Sequence, residues 1–190
     1  MRNANNSQIK ELQFRLGNND QNALKDLFDH FSKRLFHFAY TIIHSREFAE
    51  EIVEDVFIQV WLKRIKLSTL ENLTWYMYVT TKNISCNYLR KYNKINHIDV
   101  DELTLPYYKV DATPEELMIS HETLKKVNKI INDLPPKCRI IFKLIKEDGL
   151  KYKEVAGLLN LSSKTVENQM GIALKKLHAA IDHLFFLPKK

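Results

Sequence analysis

The stretch WYMYVTTKNISCNYLRKYNK, Trp75 to Lys94, mixes aromatic rings with cations and contains no acid. Trp75, Tyr76 and Tyr78 offer ring faces, while Lys82, Arg90, Lys91 and Lys94 offer positive charge. Single-stranded nucleic acid requires both, since unpaired bases need stacking partners and the backbone needs counter-charge. Core packing is expected to claim at least one of the three rings. A second set of recognition residues lies in YKEVAGLLNLSSKTVENQM, Tyr152 to Met170. Asn168 can pair with adenine, Glu167 can accept from cytosine, and Lys164 can hold phosphate or guanine. These are chemistries of recognition, not of bond making. The chain has no Gly-rich phosphate loop, no Ser/His/Asp or Cys/His pattern and no metal-ligand spacing, so no enzyme, metal or cofactor is expected.

His30, His37 and His44 recur every seven residues and imitate a ligand stripe. Two helical turns place successive members roughly 10 Å apart, too far for one metal, so amphipathic packing is the expectation. Cys86 and Cys138 stand far apart and suit a reducing compartment. The start, MRNANNSQIK, lacks an apolar signal core, and no run approaches a membrane span. A cytoplasmic protein without direct membrane insertion is expected.

A third set is acidic. From Arg46 the chain places Glu47, Glu50, Glu51, Glu54 and Asp55 in the first half of a helical pattern and Lys63, Arg64 and Lys66 at its end. Complementarity to the helix dipole explains part of this. It leaves unexplained why Ile58 and Leu62 continue the outward face beyond the acids. An acidic face with apolar residues at its end suits a basic protein partner, and periodicity leaves the two readings even.

Only 4 Gly and 5 Pro in 190 residues favour long helices. The net charge of +6 is uneven. Residues 136–190 hold 11 Lys/Arg against 5 Asp/Glu, and the first 135 residues balance at 18 of each. A localised basic excess is the footprint of a polyanion binder.

Apolar residues at spacings of three and four run from Leu24 through Leu27, Phe28, Phe31, Leu35, Phe38 and Ala39 to Ile42, over two helices or one bent one. A helix from about Arg46 to Lys66 is expected to bury Ala49, Ile52, Val53, Val56, Phe57, Val60 and Trp61. Another, from about Leu73 to Lys91, stacks Leu73, Met77, Thr80, Ile84 and Tyr88. HIDVDELTLPYYKVDA then breaks the pattern as an acidic linker. Thr113 caps a new helix, with Pro114 in its first turn and Glu115 and Glu116 at its positive end. That helix ends at DLPP, and another runs from about Lys137 to Glu147. The fold class is therefore all-α: two helical domains, 8–92 and 113–187, joined by a flexible acidic linker over 93–112, the C-terminal domain a helix-turn-helix.

In that unit Val155 and Leu159 face inward, Ala156 gives the small contact, and Asn160 takes the positive-φ turn position. Ser162 caps the second helix. Val166, Met170, Ala173, Leu174 and Leu177 form its buried side. Lys164, Glu167, Asn168, Gly171 and Lys175 form the opposite one.

Three stretches together resemble a bacterial sigma factor: EEIVEDVFIQVW (Glu50–Trp61), YMYVTTKNISCNYLRK (Tyr76–Lys91) and LPPKCRIIF…EDGLKYKEVAGLLNLSSKTVENQMGIALKKL (Leu134–Leu177). The chain is similar to the extracytoplasmic-function group of the sigma-70 family, in the style common among Bacteroidetes. The resemblance implies a factor that directs core RNA polymerase to promoters and aids their melting. It implies core-polymerase contacts at Glu50, Glu51, Glu54, Asp55, Ile58 and Leu62. It implies −10 contacts, to melted DNA, at Trp75, Tyr76, Lys82, Asn83, Asn87, Arg90 and Lys91, with Asn83 near the pocket of a flipped base and Tyr88 in the same helix. Duplex −35 contacts fall at Ser163, Lys164, Glu167, Asn168, Gly171 and Lys175. The linker would follow the polymerase's RNA path, and an anti-sigma factor, membrane-bound in the usual arrangement, would be a partner. Thr80 and Thr81 replace the family's usual apolar-small pair, and Gly171 and Ile172 replace larger or basic residues.

Two other classes compete. LSSKTVENQ also resembles the output domain of a stand-alone transcription regulator, but such proteins carry an α/β receiver or ligand domain, and no strand pattern or acidic phosphorylation cluster is present. A helical adaptor without DNA reading would leave the C-terminal basic excess unexplained.

Overall fold

The structure, a computed structural model, describes the backbone of residues 2–93 and 128–185, and side chains over 7–91 and 128–180. The acidic linker and the Thr113 cap fall outside the described residues, apart from Asn93. The chain divides into two compact units, 1–105 and 106–190. All regular structure among the described residues is helical.

In the first unit α1 spans Arg2–Gly17, α2 Gln21–Ile43, α3 Arg46–Leu62, α4 Arg64–Leu67 and α5 Leu73–Asn93. Helices α2, α3 and α5 pack against one another, and α1 lies across α2 and α4. Leu27, Phe31, Leu35, Ile52, Val56, Val60, Leu73 and Met77 form the core. Asp20 starts α2 by accepting from the Asn22 amide at 2.9 Å, and Ser45 starts α3 by accepting from Phe48 at 3.4 Å. Between them His44 adopts φ 54°, a left-handed cap that turns the chain sharply.

The pattern over 24–42 thus belongs to one helix. Phe28 is exposed, although its ring leans on Phe57 at 4.9 Å between centroids. The helix expected over 46–66 breaks at Lys63, which leaves helical geometry so that Leu67 can turn into the core. Trp61, expected in the core, is only half-buried, and the Arg64 guanidinium lies 4.4 Å from its ring centroid. Helix α1 starts at Arg2, ahead of position 8. It buries Ile9, Leu12, Gln13 and Leu16, an amphipathic spacing in which a glutamine occupies one core slot.

Helix α1 meets the turn after α4 closely, because a Cβ on Gly17 would collide with the Cβ of Ser68. Gly17→Ala is expected to cost about 1–3 kcal/mol, since neither atom can swing aside. Thermal unfolding followed by circular dichroism measures this, and Ser68→Gly in the same chain should restore most of the loss. A Gly17→Ala protein that melts like the wild type would show that the approach is looser than described.

In the second unit residues 128–132 are helical. Then follow α6, Pro136–Lys146, α7, Tyr152–Leu159, and α8, Ser163–Phe185. Helix α8 packs on both α6 and α7. Pro136 opens α6, where its missing N–H costs nothing. Leu134, Cys138, Ile141, Leu144, Val155, Leu158, Val166, Met170, Ala173 and Leu177 close the core. Leu174, expected on the buried side, is 36% exposed, because one turn past Met170 it sits at the edge of the face that α6 and α7 cover.

Candidate nucleic-acid and protein interfaces

Helix α5 separates its residues by face. Leu73, Met77, Tyr78, Thr81, Ile84, Ser85 and Leu89 are buried. Thr81 and Ser85 donate their hydroxyls to the carbonyls of Met77 and Thr81, each at 2.8 Å, which lets two polar side chains enter the core. Tyr78 is the ring that packing claims, edge-on to Phe38 at 5.2 Å. On the other side Trp75 is 39% exposed, and Asn83, Asn87, Arg90 and Lys91 are exposed. Tyr76 and Lys82 are half-buried on its flanks. Burial of the Lys82 ammonium lowers its pKa. Arg90 donates to Asn87 Oδ1 at 3.1 Å, which turns the amide NH2 of Asn87 outward as a donor. The seven residues assigned to melted DNA therefore share one side of one helix. Asn72 fixes the start of that helix, accepting from the Trp75 amide at 3.0 Å.

Tyr88 points elsewhere. Its hydroxyl donates to Glu51 Oε2 at 3.2 Å and lies 3.5 Å from Asp55 Oδ2, so it joins α5 to α3. This divides the acidic face of α3 into two rows at i, i+4 spacing. Glu51 and Asp55 lean toward α5. Glu50, Glu54, Ile58 and Leu62 form an outward row, with Ile58 56% and Leu62 71% exposed. Arg46 pairs with Glu50 at 2.8 Å, a surface contact of small worth. Ile65, on α4 beyond the Lys63 break, is 69% exposed.

In the second unit Asn160 adopts φ 54° between α7 and α8, as the turn requires. Ser162 Oγ accepts from the Thr165 amide at 3.0 Å and caps α8. Ala156 is buried at the contact, and its carbonyl accepts from Leu161 at 2.9 Å. These locked ends set the rotation of α8. Val166, Met170, Ala173 and Leu177 turn inward, while Lys164, Glu167, Asn168 and Lys175 are exposed and Ser163 and Gly171 half-exposed. Lys164 pairs with Glu167 at 3.3 Å. A Cβ at Gly171 would meet nothing within 4 Å, so packing does not demand this glycine. Ile172 is exposed beside it, an apolar residue on an otherwise polar face and one absent from the predicted −35 set.

Among the described residues no three His, Cys, Asp or Glu side chains group as a metal site. His30 and His37 pack edge-on against Phe31 and Phe36. Cys138 is buried and donates to Gln169 Oε1 at 2.9 Å, and burial raises its thiol pKa. No helix among the described residues is long and apolar enough to cross a membrane.

Residues 27–95 match the family Sigma-70 region 2, and residues 124–177 match Sigma-70, region 4. The chain is 23% identical over 158 residues to the ECF RNA polymerase sigma factor SigW of Bacillus subtilis (strain 168), covering 80% of this chain and 84% of the relative. It is 21% identical over 184 residues to the ECF RNA polymerase sigma factor SigK of Mycobacterium tuberculosis (strain H37Rv), covering 93% and 95%. Among solved structures, CnrH in complex with the cytosolic domain of CnrY superposes with a TM-score of 0.51 at 18% identity, covering 93% of this chain and 98% of that one.

Proposed function

The chain belongs to the sigma-70 family as an extracytoplasmic-function RNA polymerase sigma factor, and from that premise we propose how its surfaces divide the work. Residues 8–92 are the region 2 domain, 93–112 the linker and 113–187 the region 4 domain. The outward row Glu50, Glu54, Ile58 and Leu62, flanked by Glu51 and Asp55, takes core polymerase. Trp75, Tyr76, Lys82, Asn83, Asn87, Arg90 and Lys91 take the melted −10 strand. Ser163, Lys164, Glu167, Asn168, Gly171 and Lys175 take the −35 duplex. The chain performs no bond chemistry and acts in the cytoplasm. Its sequence style fits Bacteroidetes. An anti-sigma factor anchored in the membrane is the expected brake, a reading that the CnrH complex with the cytosolic domain of CnrY favours.

The observation that carries this division is the partition of α5. One helix buries an apolar side in region 2 and shows a ring, two amides and two cations on the other. Opening DNA gives up roughly 1.4 kcal/mol of stacking per base-pair step. Ring stacking returns roughly 1–3 kcal/mol per captured base. Capture can therefore drive melting without nucleotide hydrolysis by this chain.

Run-off transcription with purified core polymerase on a promoter library tests the reading. Defined starts that need this chain are expected. Tight duplex binding by the chain alone, with no transcripts when core is added, would favour the stand-alone regulator. The core surface has its own test. Glu54→Lys with Ile58→Asp is expected to weaken core binding about tenfold while helicity holds, because both side chains are exposed. Pull-down with core and circular dichroism measure the two, and unchanged affinity would return this row to helix-dipole complementarity.

A further inference from the structure

Helix α1 precedes the segment that matches region 2, which begins at residue 27. Its contacts with the rest of the unit converge on one place. Gln13 is 1% exposed, and its amide nitrogen donates to the carbonyls of both Leu67 and Leu70, the latter at 2.7 Å. Lys10 Nζ reaches the same Leu70 carbonyl at 2.8 Å. The Leu67 carbonyl ends α4, where it also accepts from the Leu70 amide at 3.0 Å, and the Leu70 carbonyl lies in the turn to α5. Gly17 admits Ser68 of that turn against the α1 backbone. Two residues past Leu70, Asn72 caps α5 through its side chain to the Trp75 amide and through its carbonyl to the Tyr76 amide at 3.2 Å.

Gln13 bonds Leu70, the backbone runs from Leu70 through Glu71 to Asn72, and Asn72 bonds the Trp75 and Tyr76 amides. The far end of α5 is tied separately, by Tyr88 to α3. The near end, which carries the rings, is held in the core by Leu73, Met77 and Tyr78, and the turn that leads into its Asn72 cap is held to α1 by Gln13, with Lys10 and the Gly17–Ser68 approach beside it. Gln13 Oε1 is buried and accepts nothing among the described residues. An amide with only its donors used, where an apolar side chain would fill the slot without an orphaned acceptor, is placed for those donors.

We propose that α1 is a positioning element for the −10 strand, and that Gln13 sets the α4–α5 turn and thereby the place of Trp75 and Tyr76. This rests on the assignment of α5 to melted DNA. Gln13→Met keeps length and removes the donors. In the full chain assembled with core polymerase, it is expected to leave core affinity and −35 duplex binding unchanged. Promoter opening, read by permanganate at unpaired thymines, should fall about tenfold, the scale of one buried polar group left unpaired. In the free chain, amide exchange at Trp75 and Tyr76 should speed by about the same factor. Lys10→Met, which removes only the exposed contact, should move both readouts the same way by less, and it decides the matter if Gln13→Met fails to fold.

Unchanged exchange at Trp75 and Tyr76, or unchanged opening, in a folded variant overturns the proposal. Parallel loss of core binding and opening also overturns it, since that is the mark of general packing. A wild-type chain that opens no promoter with core would instead refute the −10 assignment, while exchange in the free chain still reports on the positioning by Gln13.

Discussion

Asn83→Ala should lower promoter opening by about 10- to 100-fold, the loss of roughly 1–3 kcal/mol of hydrogen bonding to a captured base. Asn83 is exposed at the middle of α5, between the half-buried Lys82 and the core residue Ile84. Its amide can both donate to and accept from a base edge, which neither Trp75 nor the cations can do. Binding to closed duplex should change little, because the base that Asn83 would hold is paired there. Permanganate reactivity in the −10 region reports opening, and gel retardation of the assembled holoenzyme reports duplex binding. The fold should survive, since an exposed Asn in mid-helix is replaced by a better helix former. Normal opening by the mutant would make Asn83 a surface residue with no base to hold and would shift the pocket toward Trp75 and Tyr76.

What the sequence disclosed follows how local each feature is. The helix-turn-helix was readable because its determinants lie within a few residues of one another. Asn160 takes the left-handed turn, Ser162 caps α8, and Ala156 is the small contact. The exposed face of α5 was readable because one helical period separates it from the buried one. Features set by distant partners were not. Gln13 occupies a core slot opposite the Leu67 and Leu70 carbonyls, so a polar residue interrupts the short stripe of Ile9, Leu12 and Leu16, and α1 went unread. Tyr88 falls at the end of the stacked series from Leu73 to Ile84, but its hydroxyl partners, Glu51 and Asp55, lie on another helix and could not be read from that spacing. The break at Lys63 has no Gly or Pro to announce it, since it follows from the burial of Leu67. Leu174 satisfies the helical period yet lies at the edge of what α6 and α7 cover, a limit that periodicity does not contain.

The second large effect concerns α8. Glu167 and Asn168 should specify bases, whereas Lys164 and Lys175 should mostly hold phosphates. All four are exposed on the side opposite Val166, Met170 and Ala173. Glu167 and Asn168 lie in the second turn beyond the Ser162 cap, where a recognition helix reaches the groove floor. Lys175 lies about two turns further, nearer the backbone. The Lys164–Glu167 pair, at 3.3 Å and exposed on both sides, is weak enough to exchange for a base or a phosphate. Losing a base contact should cost roughly 1–3 kcal/mol, about 10- to 100-fold in occupancy, and relax preference at one −35 position. Losing a phosphate contact should weaken all promoters alike and reduce the slope of log affinity against log salt by about one. Holoenzyme activity on a −35 single-base library separates the cases for Glu167→Ala, Asn168→Ala and Lys175→Ala. If Lys175→Ala alone changed base preference while the other two lowered activity uniformly, the DNA would meet α8 from a different rotation. The exposed Ile172, beside Gly171 and one turn beyond Asn168, would then lie nearer the bases than Glu167 does.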